Sequence, residues 1–382
     1  MKRIRDLKHR FSRVLARIAV TVVCVILCIT LVAVIFMTFW KPLGAKASKT
    51  QQEIYTGRAD NYSDGAFHNS GDFTLMSDSF TDPYSERAGS KGAVPQDTLP
   101  TVKPALSEAP SNEEFSVTWL GHSTILLQMG GLNILFDPVL SDIASPVSFI
   151  GSKRFSPLAI NAEELPELDA VIITHDHYDH LDYPTIQKIK DRTKRFSVGL
   201  GVENHLERFG VESDKITAMA WWEEISLGDI TVACTPARHY SGRSLNDRNA
   251  SLWTSWVLIG EEIKVFESGD TGYSGHFAEI YEKYGEFDLA MLDCAQYNER
   301  WHEVHMFPEE SVRAAAELHV AVLMPIHWGA FSLSPHAWDN PPQRFTEQAQ
   351  SQGFEVITPK LGQTVNWNDR TGASERWWRE YK

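Results

Sequence analysis

The sequence predicts an α/β domain over residues 113–382, preceded by one transmembrane helix. Short apolar runs with strand character alternate with amphipathic helical segments throughout residues 113–382. Such alternation is typical of sheets that are covered by helices. Near the N-terminus, residues 18–40 contain no charged side chain, which predicts a separate element that crosses a membrane.

The apolar segment 18–40 is long enough to span a bilayer. As a helix its 23 residues reach about 34 Å, against a hydrocarbon core of roughly 30 Å. Residues 1–17 hold seven Lys/Arg and one Asp, with apolar side chains at helical spacing, so we expect a basic amphipathic lead-in on the cytoplasmic face. The positive-inside rule then places the rest of the chain outside the cytoplasm, which is the periplasm for a Gram-negative inner membrane.

A cleaved signal peptide is the alternative for this segment. Ala45-Lys46-Ala47 resembles a signal-peptidase site. The apolar run is nevertheless longer than the roughly 7–15 residues of a cleavable core, which favours an uncleaved anchor.

Residues 41–112 predict a largely irregular linker. They are rich in Gly, Ser, Asp and Pro, and they show no apolar periodicity. Within them, Gly65-Ala66-Phe67-His68-Asn69 is the stretch that we expect to dock on the domain.

The domain itself begins near residue 113 with strand-like runs separated by Gly-rich turns. Strands and helices then alternate to the C-terminus, and no stretch after residue 113 has the composition of an interdomain linker. The predicted strands are 117–120, 125–127, 134–136, 170–174, 231–234, 257–259, 265–266, 289–292 and 320–324, and the predicted helices are 184–192, 277–284 and 308–318.

The charge balance argues against nucleic acid as a partner. The chain carries a net charge of −14, and because residues 1–17 contribute +6, the remainder carries −20. Nucleic-acid affinity depends on cations that neutralise phosphates, so a domain this acidic is a poor candidate. Outside the apolar segment the cysteines are Cys234 and Cys294, each within an apolar run, and buried free thiols are the expectation for them.

The six residues His175-Asp176-His177-Tyr178-Asp179-His180 include four candidate metal ligands, His175, His177, Asp179 and His180. The motif follows the predicted strand 170–174 directly. His175 and His177 are two residues apart, so at a strand end both imidazoles can share one ion, while Asp179 and His180 can turn toward a second. Zinc prefers imidazole nitrogen and carboxylate oxygen, and catalytic sites keep one position open for water. The motif therefore predicts a metal hydrolase.

Three further candidate ligands, His239, Asp270 and His327, occur far apart in the sequence. Each one follows an apolar strand-like run. Side chains at strand ends gather at one edge of an α/β sheet, which is where such folds build their sites. The glycines on either side of Asp270 permit an unusual turn and a close approach to a metal.

The domain resembles the metallo-β-lactamase superfamily, and within it the chain is similar to N-acylphosphatidylethanolamine-hydrolysing phospholipase D and its bacterial relatives. The HxHxDH motif alone indicates only the superfamily, whereas the WWEE, GDTGY and IHWG runs in this order are more specific. The resembling residues beyond HxHxDH are Thr118–Thr124, Ser145-Pro146, Lys153-Arg154-Phe155, His180-Leu181-Asp182-Tyr183, Trp221-Trp222-Glu223-Glu224, Gly269–Tyr273, His305, Pro308-Glu309-Glu310 and Ile326-His327-Trp328-Gly329.

The resemblance implies a four-layer αββα sandwich with two zinc ions per chain between its sheets. Two such ions activate water and stabilise the leaving oxygen, so no nucleophilic side chain is required. The implied ligands are His175, His177 and His239 for one zinc and Asp179, His180 and His327 for the other, with Asp270 bridging them.

The resemblance also implies roles around the ligands. His305 matches a histidine near the substrate, where it assists proton transfer or grips phosphate; a surface histidine is the alternative. Asp176 and Asp182 are candidates for orienting the imidazoles, with an exposed turn carboxylate as the alternative for Asp176. Asp176 stands where some relatives carry Asn, and the stretch 294–301 departs from the family, so we expect its substrate to differ from that of the eukaryotic enzyme.

The predicted function is that of a membrane-anchored zinc phosphodiesterase of the phospholipase D type. Its substrate would be an N-acylated phosphatidylethanolamine or a related membrane lipid. One alternative is a metal-dependent hydrolase of another ester or amide, such as a lactone or a β-lactam. Another is a non-catalytic metal-binding envelope protein. The sequence leaves homo-oligomerisation open.

The C-terminal residues 376–382 mix aromatic and basic side chains, which suits a membrane interface. A tail docked on the domain is the competing interpretation.

Overall fold

The computed structural model describes residues 2–71, 73 and 92–382, with the backbone alone for residues 2–8. Residues 72 and 74–91 of the predicted linker lie outside the described residues, as do the first side chains of the predicted lead-in. The chain divides into two compact units, which meet in sequence between residues 43 and 44.

The helices and strands are numbered here in chain order. The helices are α1 Lys2–Phe39, α2 Lys49–Arg58, α3 Tyr183–Ile189, α4 Glu203–Phe209, α5 His276–Tyr284, α6 Pro308–Glu317 and α7 Asn340–Ser351. The strands are β1 Tyr62–Ser63, β2 Ala66–Phe67, β3 Phe115–Trp119, β4 Ile125–Met129, β5 Leu132–Phe136, β6 Ile143–Ala144, β7 Ser152–Lys153, β8 Ala170–Ile173, β9 Phe196–Gly199, β10 Ile216–Met219, β11 Glu224–Leu227, β12 Ile230–Pro236, β13 Thr254–Ile259, β14 Lys264–Glu267, β15 Phe287–Asp293, β16 Val320–Ile326, β17 Glu355–Val356 and β18 Thr364–Asn366.

The first unit is dominated by α1, whose stretch His9–Phe39 is long and apolar enough to cross a membrane. Its described side chains are almost all exposed within this unit. The predicted basic lead-in 1–17 and the predicted anchor 18–40 thus lie largely within one continuous helix. The reason is local, because residues 2–39 contain neither Gly nor Pro, and Lys and Arg are good helix formers.

Two seven-stranded sheets form the body of the second unit. The strand order is β10-β9-β8-β5-β4-β3-β18 in the first sheet and β11-β12-β13-β14-β15-β16-β17 in the second. Strands β5, β8 and β9 run parallel to one another, as do β14, β15 and β16. The carboxyl ends of parallel strands lie at the same edge of a sheet. We call the edge at which β5, β8, β12, β14 and β16 end the site edge.

The main core lies between the two sheets. In β4, Ile125 and Leu127 share one buried cluster with Val265 of the second sheet. Leu126 belongs to another cluster, which it forms with Ile186 of α3. Successive strand residues point to opposite faces, so the first sheet has the second sheet on one side and helices on the other. With α5, α6 and α7 against the second sheet, the predicted four-layer αββα sandwich is confirmed.

Part of the predicted irregular linker 41–112 is instead folded onto the domain. Helix α2 begins with a capping box, in which Ser48 and Gln51 satisfy each other's backbone N–H groups. The rings of Tyr55, Tyr62 and Phe67 then form a buried cluster. The prediction of an irregular linker is therefore wrong for residues 49–67. It was based on average composition, which does not reveal a helix cap or a cluster of three aromatic residues. The expected docking of the stretch around Phe67 is confirmed. We call residues 44–70 the arm.

The C-terminal tail packs on the domain, so the membrane-interface interpretation of residues 376–382 is wrong. Trp377 and Trp378 are buried. The ring of Trp377 stacks on that of Trp328 at 5.4 Å between centroids, and Trp378 meets the same ring edge-on. Trp328 follows His327, so the tail supports the loop that carries a predicted ligand.

We expect Trp377→Ala to lower the free energy of unfolding of the domain by about 3–5 kcal/mol, because removing the ring leaves a cavity in a packed aromatic cluster. The measurement is the urea midpoint at which the buried thiols of Cys234 and Cys294 become reactive, with the exposed Cys24 and Cys28 replaced by Ser. Arg379→Ala, in the same tail but at the surface, is the control, with a loss below about 1 kcal/mol. Equal midpoints for the two variants would contradict the packing role.

Candidate metal centre

Four predicted ligands from both sheets come together in a first group. His177 Nδ1 lies 2.9 Å from His175 Nε2 and 3.2 Å from His239 Nε2. Asp270 Oδ2 lies 3.7 Å from His175 Nε2 and 3.8 Å from His239 Nε2. One ligand atom from each of the four residues lies within 4.8 Å of the others.

The remaining predicted ligands form a second group. His180 Nε2 lies 3.6 Å from Asp179 Oδ2, and His327 joins these two residues within the same 4.8 Å limit. His122, which was not predicted as a ligand, completes the group, with its Nε2 2.9 Å from Asp179 Oδ2.

Asp270 lies between the two groups. Its Oδ2 faces the first group, while its Oδ1 lies 3.1 Å from His180 Nε2 and 3.2 Å from His327 Nδ1. The backbone of Gly269 makes this position accessible, since its φ is +54° and a Cβ there would lie 2.6 Å from the carbonyl oxygen of Thr254. The carboxylate can therefore serve both groups with one oxygen each.

The atoms of this centre fit metal ions better than they fit one another. Within the described residues, His180 Nε2, His327 Nε2 and Asp270 Oδ1 are buried without a hydrogen-bond partner. Although His180 Nε2 and Asp270 Oδ1 lie 3.1 Å apart, they make no hydrogen bond. Buried polar atoms without partners cost free energy. Imidazole nitrogens and carboxylate oxygens are ligands of divalent transition metals, and two such sets fit two ions.

Burial keeps the first group's imidazoles neutral. Burial and the neighbouring ring of His180 hold the pKa of His175 well below its ordinary value. Burial and His177 do the same to the pKa of His239, and burial lowers the pKa of His177 to about 4. These rings therefore have unprotonated nitrogens at neutral pH, as metal ligation requires. Burial raises the pKa of Asp270 to about 6.

The far sides of the ligand rings are held by groups that the sequence did not predict. Asp137, which follows β5, lies with Oδ2 2.7 Å from His180 Nδ1. Thr174 Oγ1 lies 3.0 Å from His175 Nδ1 and donates to Asp137 Oδ2 at 2.6 Å. Such bonds fix ring orientation and tautomer. The available signal was a polar residue directly after an apolar strand, the criterion already applied to His239 and His327.

The predicted orienting roles of Asp176 and Asp182 are wrong. Asp176 is buried, but it accepts hydrogen bonds from Ser251 Oγ and the Gly242 N–H, both at 2.8 Å, and lies 3.1 Å from His205 Nε2. It therefore ties the motif to the loop after β12. Asp182 instead caps α3, where it accepts a bond from the backbone N–H of Thr185.

His122 links the two sheets. Its N–H donates to the Trp328 carbonyl at 2.9 Å, and its own carbonyl accepts from the N–H of His327 at 3.1 Å. Both histidines have left-handed backbones, with φ of 55° and 69°. Such conformations are uncommon outside Gly and often mark functional sites.

His305 lies beside both groups at the opening of the centre. Its Nδ1 is 3.1 Å from Asp293 Oδ2, and its ring stacks parallel to that of His327 at 5.3 Å between centroids. The side chains of His305 and Asp179 retain 12% and 13% of their surface, whereas those of His175, His180, His239 and Asp270 retain 2% or less. Among the described residues, the solvent-accessible parts of the centre therefore include His305 and Asp179.

The arm contacts the centre directly. Asn69 Nδ2 donates to the carbonyl of His239 at 2.7 Å, and Asn69 Oδ1 accepts from the N–H of His239 at 3.1 Å. The same oxygen accepts from Trp253 Nε1 at 2.9 Å. The docking signal at residues 65–69 pointed to this stretch but not to its target.

Comparisons with known proteins identify the family of the chain. The Beta-lactamase superfamily domain matches residues 132–328. The uncharacterized protein Rv0906 of Mycobacterium tuberculosis is 37% identical over 350 residues, which cover 88% of this chain and 91% of that protein. N-acyl-phosphatidylethanolamine-hydrolyzing phospholipase D 1 of Caenorhabditis elegans is 34% identical, over 65% of this chain and 73% of that protein.

The fold is also similar to solved structures. The isothiocyanate hydrolase from Delia radicum gut bacteria matches with a TM-score of 0.53 and 20% identity, over 65% of this chain and 98% of that chain. Igni18, a metallo hydrolase from Ignicoccus hospitalis, matches with a TM-score of 0.51. At such low identity these matches show the fold alone. The family match covers residues 132–328, and the M. tuberculosis relative matches 88% of this chain. The chain therefore belongs to the metallo-β-lactamase superfamily and is a metal-dependent hydrolase.

Proposed function

We propose that the protein is a membrane-anchored binuclear zinc phosphodiesterase of the phospholipase D type, acting on N-acylated phosphatidylethanolamine or a related lipid. The observation that carries the proposal is Asp270 between two ligand groups, in a chain that is 34% identical to the C. elegans phospholipase over 260 residues. The exposed apolar helix α1 supports a membrane anchor, with the domain outside the cytoplasm.

The proposed ligand assignment follows the two groups. His175, His177 and His239 would hold one zinc and Asp179, His180 and His327 the other, with Asp270 shared. Bound there, two ions would polarise the phosphoryl oxygens and activate a water. His122 keeps Asp179 in place, and Asp137 keeps His180 in place.

His305 is proposed to supply a proton to the leaving group. In the reaction, water adds its oxygen to phosphorus, and the phosphorus–oxygen bond to the N-acylethanolamine breaks. The departing alkoxide is a strong base and needs a proton. The contact with Asp293 keeps a proton on Nδ1, so the other ring nitrogen can take the proton that the attacking water releases and pass it to the departing oxygen.

We expect wild-type protein with two zinc ions to release phosphatidic acid from N-acylated phosphatidylethanolamine. Asp270→Asn should lower kcat on the order of 10³-fold, because the shared carboxylate charge is lost. Metal content measured alongside separates loss of metal from loss of catalysis. Full activity of Asp270→Asn with metal bound would contradict the role of the centre, and a zinc-loaded wild type that hydrolyses lactones but releases no phosphatidic acid would contradict the substrate.

His305→Gln should lower kcat on the lipid by about 10²–10⁴-fold, the usual contribution of a general acid. Metal content should stay at the wild-type value. A nitrophenyl phosphodiester has a leaving group that needs no proton, so its hydrolysis should fall far less. Equal losses on both substrates would show that His305 acts in another way.

Asn69 is proposed to position His239 for the metal, because it fixes both backbone polar groups of that residue. We expect Asn69→Ala to weaken metal retention by about 10–100-fold, as is usual when support of a ligand is removed. Competition with a zinc-binding chelator dye measures this. The matched control is Gln52→Ala, which removes an arm contact to the carbonyl of Ala47. Equal metal affinity of the two variants would refute the role.

A further inference from the structure

Among described residues 92–382, the three most exposed large apolar side chains are Leu245, Phe149 and Ile150, at 92%, 79% and 64%. They lie at two loop tips, one at residues 145–151 between β6 and β7, the other in the chain that joins β12 to β13. Isolated apolar residues at a surface are ordinary. These three differ in where their loops are attached.

Both loops leave the site edge. The first follows β5, and its returning strand is fixed by the guanidinium of Arg154, which lies 4.6 Å from the centre of the Phe331 ring. That ring in turn meets the His122 ring edge-on at 5.3 Å. The second loop follows His239 and accepts, at the carbonyl of Arg243, a hydrogen bond from the hydroxyl of Tyr178 within the metal motif. The two apolar tips are thus each held by residues in or beside the centre.

The second tip also lies where the chain enters the domain. Lys46 Nζ donates to the carbonyl of Asn246, the residue next to Leu245. Four peptide units join Trp40, the last residue of the apolar segment, to Gly44, a reach of at most about 14 Å. If the segment spans a bilayer, the first residues of the domain, and the loop that they contact, must be near the surface of that bilayer.

Each tip carries a cation suited to lipid phosphates. Lys46 and Arg248 are exposed beside Leu245, and Lys153 is exposed two residues after the first tip loop ends. This is local positive charge on a chain that carries −20 outside its first 17 residues. Apolar side chains flanked by Lys and Arg suit the interface between lipid head groups and acyl chains.

We propose that Phe149, Ile150 and Leu245 form a lipid-facing rim, which inserts into the phospholipid bilayer and seats the site edge against it. The proposal rests on the proposed function, because it takes the anchor and a lipid substrate as given. Its consequence is that the enzyme takes a phosphodiester lipid from the membrane surface without extracting it into water.

The test uses full-length protein in proteoliposomes, with Cys24 and Cys28 replaced by Ser so that only buried native thiols remain. Single cysteines introduced by Phe149→Cys, Leu245→Cys or Glu262→Cys carry an environment-sensitive fluorophore. Glu262 is the control, exposed in the turn between β13 and β14 at the opposite edge of the second sheet. We expect phospholipids with a spin label on the acyl chain to quench the fluorophore at 149 and 245, but not at 262.

Quenching at 149 and 245 no greater than at 262 would overturn the rim. So would shielding that rises with protein concentration without lipid quenching, since that result would assign the surface to a second copy of the chain. Quenching needs no turnover, so a quenched rim in a protein that releases no phosphatidic acid would contradict the substrate and leave the rim intact.

Activity gives a second readout. Replacing Phe149, Ile150 and Leu245 together by Ser should lower kcat/KM on vesicle lipid by about tenfold, because the apolar area buried in the bilayer is lost. Hydrolysis of the water-soluble probe bis(p-nitrophenyl) phosphate should stay at the wild-type rate. Equal rates on vesicle lipid before and after the substitutions would overturn the proposal.

Discussion

The centre depends on one carboxylate that must reach two sets of imidazoles at once. Asp270 has Oδ2 toward His175 and His239 and Oδ1 toward His180 and His327. The two sets arise from different sheets, so the geometry exists only if the sheets stack in one register. The left-handed turn at Gly269, and the backbone bonds between His122 and the His327–Trp328 segment, hold that register at the site edge.

The same arrangement is unfavourable without cations. Neutral imidazole nitrogens face one another, and several buried polar atoms of the described residues have no hydrogen-bond partner. Leaving such atoms unpaired in a low dielectric costs free energy that ligation of an ion offsets. The candidate ligands are fixed by contacts on the sides of their rings that face away from the centre. Asp137 and Thr174 contact the rings of His180 and His175, and the stack of Trp377 on Trp328 supports the residue next to His327. The candidate ligands are thus held in position by groups outside the centre.

The family resemblance predicted the sandwich. Strand ends and His/Asp spacing indicated the seven ligand candidates, which the two sheets bring to one edge. The sequence did not predict the roles of His122, Asp137 or Asn69. Asp137 carries the strand-end signal, but no local pattern shows that a residue supports a ligand distant in sequence. Asp176 and Asp182 were misjudged for the same reason, as their partners are a distant loop and a helix N-terminus. The folded arm was not predicted, because the burial of three aromatic side chains stabilises it although its average composition is that of a linker.

The arm joins the apolar helix to the centre, since the residues that follow the helix contact both His239 and the loop after it. Residues 44–70 thus connect the loop after β12 with the backbone of a candidate ligand. The most direct test of the central claim is an anomalous diffraction map of zinc-loaded crystals. We predict two peaks, one within each ligand group, with Asp270 between them. A single peak, or peaks away from Asp270, would contradict the account.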